Sequence, residues 1–561
     1  MKRRQERVNA IRARSTEREN HLIDEYRFGK IGRREFVRRA AVAGMGLPMA
    51  GFLAAACGQA RDPLEQADEA QQGAPSKGGT IRIGQQTPSG ALDPVTVNNQ
   101  GGLTVLGQTG EYLIWSDRDL KPQPRLAESW SSNDDGSVWS FKLRQGAVFH
   151  DGRTMDAEDV VTTFDRLADP DNGSNALSAL TGVLSKGGAK TVDASTVEFT
   201  LDAPNGNFPF LTSSDNYNAI ILPKDYEGDW EKTFIGTGPW KLGEYRPGEG
   251  ITLLPNEQYW DPARRPLSEK AEIVFFGNEQ SLILGFQGNQ VDYVVQFSVS
   301  GGKALLTDPT VVTTELKSSA HRQCHLRGDI EPFNDKRIRQ AVALLVNRTN
   351  LVNGLLDTKT DIGNDSPFAP VFPSTAPDVR QREQNVAEAK KLLEAAGVAD
   401  GFSVTLSTWQ GFEMPDYAQL LQQDLRQANI RLNLSITDAG TYYGDATYGN
   451  SRWLDSQMGI TEYGHRGVPN VLLGAPLLST GTWNGAHFKN KTYDKLFADY
   501  TAAIDLDSQR AASKQIQELL LDESPILFTY FYYFLSGAKD YVAGIDTTAM
   551  GHTDVSQAGF V

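Results

Sequence analysis

Only two cysteines, Cys57 and Cys324, occur in 561 residues. So few thiols exclude a disulfide framework and a cysteine-based zinc site. Long apolar runs are equally scarce. The single one, Ala40 to Ala56, is interrupted by Pro48. Past residue 60 nothing reaches the ~20 apolar residues that a membrane-spanning helix needs. The chain also lacks a G-x-S-x-G elbow, an H-E-x-x-H pair and a phosphate-binding P-loop, which weakens a hydrolase reading. No short-period repeat is present. His321 and His325 flank Cys324 in a segment that alternates like a strand. There they share a face but sit ~13 Å apart, too far to chelate one ion. His465 has no second ligand in view, so neither a metal nor a cofactor is expected.

Basic clusters are missing from the body. Residues 1–56 hold 13 Lys/Arg against 6 Asp/Glu, while the remainder holds 42 against 64. An acidic body argues against a nucleic-acid partner, because phosphate contacts need clustered cations. A chain of this length exceeds one core and implies two or three subdomains.

What is present begins with an address. Arg33-Arg34-Glu35-Phe36-Val37-Arg38 resembles a twin-arginine export signal, with Arg33 and Arg34 as the pair. The Gly/Ala-rich run follows and closes on Leu53-Ala54-Ala55-Ala56-Cys57, which resembles a lipobox with Ala54 where leucine is usual. These patterns imply export to the periplasm or outer face of the cell envelope, and a membrane tether through lipid on Cys57. Residues 57–77 read as a flexible linker.

Alternating residues predict strands at Thr80–Gly84 and Trp139–Leu143. Asp156 and Asp159 open a helix whose stripe is Val160, Val161, Phe164 and Leu167. Asn385 and Glu388 have capping spacing before Val386, Ala389, Leu392 and Leu393. Phe402 to Ser407, a helix over Tyr417 to Ala428, and Ile430 to Ile436 form a strand–helix–strand unit with parallel strands. Ligands bind beyond the carboxyl ends of such strands, which makes Ser407 through Phe412 a candidate ligand wall. Ala502 to Asp522 reads as one amphipathic helix.

Five blocks then agree in order with one family: Pro124 to Val161 around Leu126-Ala127-Glu128-Ser129-Trp130 and Phe149-His150-Asp151-Gly152; Gly236-Thr237-Gly238-Pro239-Trp240 with Asn256 to Trp260; Phe333 to Ala341; Ala387 to Gly397; and Trp483-Asn484 with Tyr493-Asp494. Together they resemble the peptide/nickel/opine class of extracellular solute-binding proteins, family 5, of ABC importers. The resemblance implies an α/β, two-lobed periplasmic-binding-protein-like fold (type II, cluster C) with three subdomains and a hinge. Domain I would comprise 78–115, 225–325 and 510–561, domain II 116–224, and domain III 326–509. It also implies a monomer that captures a peptide, opine or similar small solute, does no covalent chemistry, and passes its load to an ABC permease and ATPase complex. An exported sensor or chaperone-like clamp and a secreted hydrolase are the alternatives.

In the resembling family the loop after the first strand and domain III loops face the cleft. Here these are Thr87-Pro88-Ser89-Gly90, whose small residues suit close approach, then Trp409, Trp483 and Asn484, and the segment Glu462-Tyr463-Gly464-His465-Arg466. Peptide binders of the family carry an aspartate near this segment for the solute's ammonium group. The Trp-x-x-Asp-x-x-Asp-Pro pattern is missing, Glu462 can supply the carboxylate, and Arg466 offers a fork for an anion.

Overall fold

The computed structural model describes residues 75–561, apart from 89, 98, 445 and 446. Arg33, Arg34, Cys57 and Ser89 lie outside the described residues. Ser76, assigned by sequence to the linker, bridges to the C-terminus: its N–H donates to the Phe560 carbonyl at 2.9 Å.

The largest sheet has seven strands, in the order Val311–Leu316, Phe534–Lys539, Tyr293–Val294, Thr80–Gln86, Lys270–Phe276, Gly250–Pro255 and Trp240–Arg246. Thr80–Gln86 runs parallel to Lys270–Phe276, with Ile83 opposite Ile273. A second, antiparallel sheet orders Ala127–Ser132, Val138–Leu143, Thr196–Thr200 and Ala189–Asp193. The helix Ala157–Ala168 contacts it and starts at a reciprocal cap between Asp156 and Asp159. Its Val160, Phe164 and Leu167 are buried, as the stripe predicted, while Val161 is only partly so. One apolar core, including Ile81, Ile273, Phe141 and Phe199, joins the two sheets into a first lobe.

The third sheet has six strands, in the order Thr360–Ile362, Ile526–Tyr532, His321–Leu326, Met458–Tyr463, Ser403–Trp409 and Arg431–Thr437. The anticipated strand–helix–strand unit is Ser403–Trp409, Met414–Leu425 and Arg431–Thr437, and its strands are parallel, with Leu406 opposite Leu434. Leu406, Leu421 and Ile460 belong to a separate core, that of the second lobe. The C-terminal amphipathic stretch is one helix that begins four residues later than its pattern predicts. Lys491–Ala502 ends one helix, and Asp505 caps another over Leu506–Glu523 by accepting from Ser508 N at 2.8 Å. Aspartate competes with the helix for backbone N–H groups and so favours a cap over an interior site.

Among the described residues the chain passes between the two lobes' sheets twice, over Lys317–Ala320 and at Tyr533. Residues 321–325 and Ile526–Tyr532, which the sequence grouped with domain I, pair within the six-stranded sheet. Alternation identifies a strand but not the sheet it joins.

Several motif blocks are structural. Gly236-Thr237-Gly238-Pro239-Trp240 and Asn256–Trp260 converge on the buried carboxylate of Glu111. It accepts from Tyr259 Oη at 2.6 Å, Trp260 Nε1 at 2.8 Å and Thr237 Oγ1 at 2.9 Å. Side chains at 236 or 238 would collide with the Thr109 backbone, which explains both glycines. In the block Phe333 to Ala341, Asp335 caps the helix Lys336–Leu345. Arg339 ties that helix to the Glu523 carbonyl at 2.9 Å and the Glu523 carboxylate at 3.0 Å.

Candidate functional site

A cavity of about 680 Å³ lies between the lobes. Its walls come from the carboxyl ends of strands in both large sheets, where side chains and backbone groups leave the ladder. Thr80–Gln86 delivers Thr87, Lys270–Phe276 leads to Glu279, and Tyr293–Val294 leads to Ser298. From the second lobe, Ser403–Trp409 leads to Phe412 and Glu413, and Met458–Tyr463 leads to His465 and Arg466. The passage residues Ser318, Ala320 and Tyr533 also line it.

One charged cluster dominates the second-lobe wall. The buried guanidinium of Arg322 lies over the Tyr532 ring at 4.4 Å and the Phe412 ring at 5.1 Å. Two carboxylates flank it, Glu413 Oε1 3.3 Å from Nε and Glu462 Oε2 3.3 Å from Nη1. At that separation the pairs are ionic, but neither Nε nor Nη1 makes a well-formed hydrogen bond. Strand register creates the cluster, because Arg322 stands directly opposite Glu462 in an antiparallel pair. Tyr530 Oη donates to Glu413 at 2.9 Å and fixes the second carboxylate. Burial raises the Glu462 carboxyl above its ordinary value; Arg322 opposes that shift and Glu413 adds to it.

His465 serves the hinge. Its Nδ1 accepts from Ser319 N at 3.0 Å, and burial with Arg466 alongside pushes its titration down to about 3. The neutral ring therefore locks the first passage to the loop that carries Arg466. Arg466 N donates to Ser319 Oγ at 2.9 Å, and its guanidinium lies over Tyr217 of the first lobe at 5.7 Å. Tyr217 lines the same cavity.

The sequence-derived candidates divide. Thr87, Glu462, His465 and Arg466 line the cavity. Pro88 packs beside Gly101, and Gly90 is exposed with a left-handed backbone at φ +80°. Trp409, Tyr463, Trp483 and Asn484 stand behind the wall. Trp409 meets Phe412 edge-on at 5.8 Å. Tyr463 stacks on His321 at 5.4 Å and touches Trp483 at 6.0 Å. Asn484 is consumed by backbone, donating to Phe488 O at 2.7 Å and accepting from Phe488 N at 2.9 Å. Sequence reasoning passed over Arg322, Glu413, Tyr532 and Tyr217. Only Arg322 left a trace, as a charge in the middle of a strand-like run.

Two lobes, two chain passages and a polar cavity walled from both sides define a clamp for a small solute. Residues 121–465, more than half of the chain, match the model of the bacterial extracellular solute-binding proteins, family 5. The chain belongs to that family. The dipeptide-binding protein DppE of Bacillus subtilis is 25% identical over 512 residues, covering 85% of this chain and 91% of DppE. The glutathione-binding protein GsiB of Salmonella paratyphi A is 26% identical over 449 residues, covering 77% and 85%. Among solved structures, the ABC transporter substrate-binding protein CtaP of Listeria monocytogenes superposes with a TM-score of 0.75 at 20% identity, over 86% of this chain and 100% of CtaP.

Proposed function

We propose that the protein captures a peptide or peptide-like small solute between its lobes and hands it to the permease and ATPase of an ABC importer. Export by a twin-arginine route and a lipid on Cys57 would hold it in the periplasm or on the outer face of the cell envelope as a tethered monomer. The observation that carries the reading is the placement of the cavity. A solute held there touches Thr87, Glu279 and Tyr217 on one lobe and Arg322, Glu462 and Arg466 on the other. It thus makes its full set of contacts only when the lobes are closed, which is how a ligand shifts an open–closed equilibrium. Glu462 supplies a carboxylate for a solute ammonium group and Arg466 a guanidinium for a solute carboxylate. DppE and GsiB are named for a dipeptide and for glutathione, and both solutes carry these groups.

The test is native mass spectrometry of the protein purified from its own host, followed by small-angle scattering with the mass-identified solute. The reading requires a retained small molecule and a smaller radius of gyration in its presence. A protein that carries nothing and keeps its dimensions with di-, tri- and oligopeptides fails it. Turnover of the retained molecule would instead favour the hydrolase reading.

A further inference from the structure

Phe412 is out of keeping with its surroundings in three ways. Its side chain is 57% exposed, although most large apolar residues of this lobe are buried. Its backbone has φ +44°, the left-handed region that a residue with a Cβ enters only at a cost. And its ring borders the cavity, with the Arg322 guanidinium 5.1 Å from its centroid. Local sequence explains how it is held there. The Trp409 ring folds back over Gly411 so closely that any side chain at 411 would overlap it. The chain turns tightly at Gly411–Phe412 and enters the helix Met414–Leu425 at once. Trp409 then buttresses Phe412 from the side, with the two rings at 84°. A glycine at 412 would relieve the backbone, and more than half of the phenylalanine surface stays exposed, so burial gives only a weak reason for this residue.

The charges beside it specify what the ring would meet. Arg322, Glu413 and Glu462 together carry one positive and two negative groups, a net of one negative charge in the cluster beside the ring, while Arg466 lies elsewhere on the same wall. An anion placed there faces two carboxylates, whereas one cationic group restores balance. We propose that Phe412 is a solute-contacting, specificity-determining residue: its ring is the platform for an apolar, preferably aromatic, group that adjoins a single cationic centre of the solute, the cation sitting against Glu413 and Glu462. Binding would cover the exposed ring, so the backbone strain is retained for recognition. This inference rests on the solute-capture reading and narrows it to one chemical class.

The experiment uses the whole purified chain and its F412G, F412A and F412W variants. Calorimetric titration follows Phe-Ala, Ala-Ala and N-acetyl-Phe-Ala. Phenethylammonium chloride, titrated into the millimolar range and followed by tryptophan fluorescence, carries the seat's chemistry and nothing else of a peptide. Phe-Ala is expected to bind the native chain about tenfold or more tighter than Ala-Ala or N-acetyl-Phe-Ala, the scale of one buried aromatic contact or one lost ion pair. F412G should still unfold cooperatively, showing a folded chain, and lose that preference, F412A should lose it too, and F412W should keep it. Unchanged Phe-Ala affinity in F412G overturns the proposal while leaving solute capture standing. So does an acetylated dipeptide that binds as well as the free one. Phenethylammonium binding that depends on Phe412, without any peptide binding, supports the seat and refutes the peptide reading. Failure of every probe overturns both.

Discussion

Asp215 offers a test of closure that needs no solute. It belongs to a seam where the first lobe meets the second away from the hinge. Gly206 N donates to Thr501 O at 2.9 Å, and Asn207 Nδ2 donates to Asn470 Oδ1 at 2.9 Å. Gln509 Nε2 donates back to Asn207 Oδ1 at 3.1 Å. Asp215 faces Gly467 so closely that a side chain at 467 would overlap its carboxylate. The residue keeps part of its surface, but Oδ2 is sealed and has no hydrogen-bond partner. Burial lifts its titration from 3.8 to about 7, against the pull of Ser116 and Arg466. A rise of about three units at ~1.36 kcal/mol each sets a ceiling of ~4 kcal/mol, and partial solvation brings the expected penalty to ~2 kcal/mol. The sign follows from the raised value. Below the unfolded value both states hold the proton and nothing is lost. Between about 4 and 7 the folded, closed form binds the extra proton, so stability falls as pH rises, and above 7 the penalty is complete. D215N removes the titration and keeps the shape. Urea unfolding should therefore give equal stabilities near pH 4 and a variant more stable by ~2 kcal/mol near pH 8. If the seam opens before the lobes unfold, the same difference moves to scattering: the native chain expands between about pH 5 and 8 and D215N does not. A gap that is constant with pH, or a variant less stable near pH 8, refutes the reasoning.

Other residues carry separate expectations. Asp365 is fully buried, with Arg348 Nη2 2.7 Å from Oδ1 and 2.6 Å from Oδ2, and Arg382 Nη1 2.7 Å from Oδ2. D365A strands two cations and should cost about 4 kcal/mol in urea unfolding; a loss under 1 kcal/mol would show the pairs to be dispensable. G411A must displace the Trp409 ring, so it should lower stability by ~1–3 kcal/mol and quench the Phe412-dependent solute preference together. An effect on only one of the two would separate the ring's support from the seat. E462Q should weaken an amine-terminated dipeptide about tenfold and leave its N-acetylated form unchanged, measured by titration. E111Q leaves Tyr259, Trp260 and Thr237 donating to an oxygen and a nitrogen, so at least one donor is lost and a drop of ~1–3 kcal/mol is expected in thermal or urea unfolding.

Local pattern carried the sequence reading a long way. The parallel unit at 403–437 was legible because its period switches from two to 3.6 and back within one stretch, and the paired strands need no information from elsewhere. The helix caps at Asp156 and Asn385 were legible for the same reason: a side-chain oxygen and an N–H three residues on are a local event. The late start of the last helix at Leu506 was hidden because apolar residues continue from the preceding helix through Ala503 and Ile504, and periodicity alone does not register a break of three residues.

The site was less legible because its central feature is a register. Arg322 and Glu462 lie 140 positions apart and meet only because two antiparallel strands pair at that offset. No count of charges or spacing reveals such a pairing. The aromatic residues show the complementary error. The resemblance points to Trp409 as a cleft-facing aromatic, but a long ring at the last position of a strand is well placed to fold back and brace the loop. The exposed position falls to the residue beyond the glycine. The rule that ligands gather past strand ends thus located the wall at Ser407 through Phe412, while the choice within that wall depended on Gly411 admitting the Trp409 ring. Recognition in this clamp therefore depends on two things a linear pattern does not display: which strand stands opposite Arg322, and which side chain the Gly411 turn leaves facing the cavity.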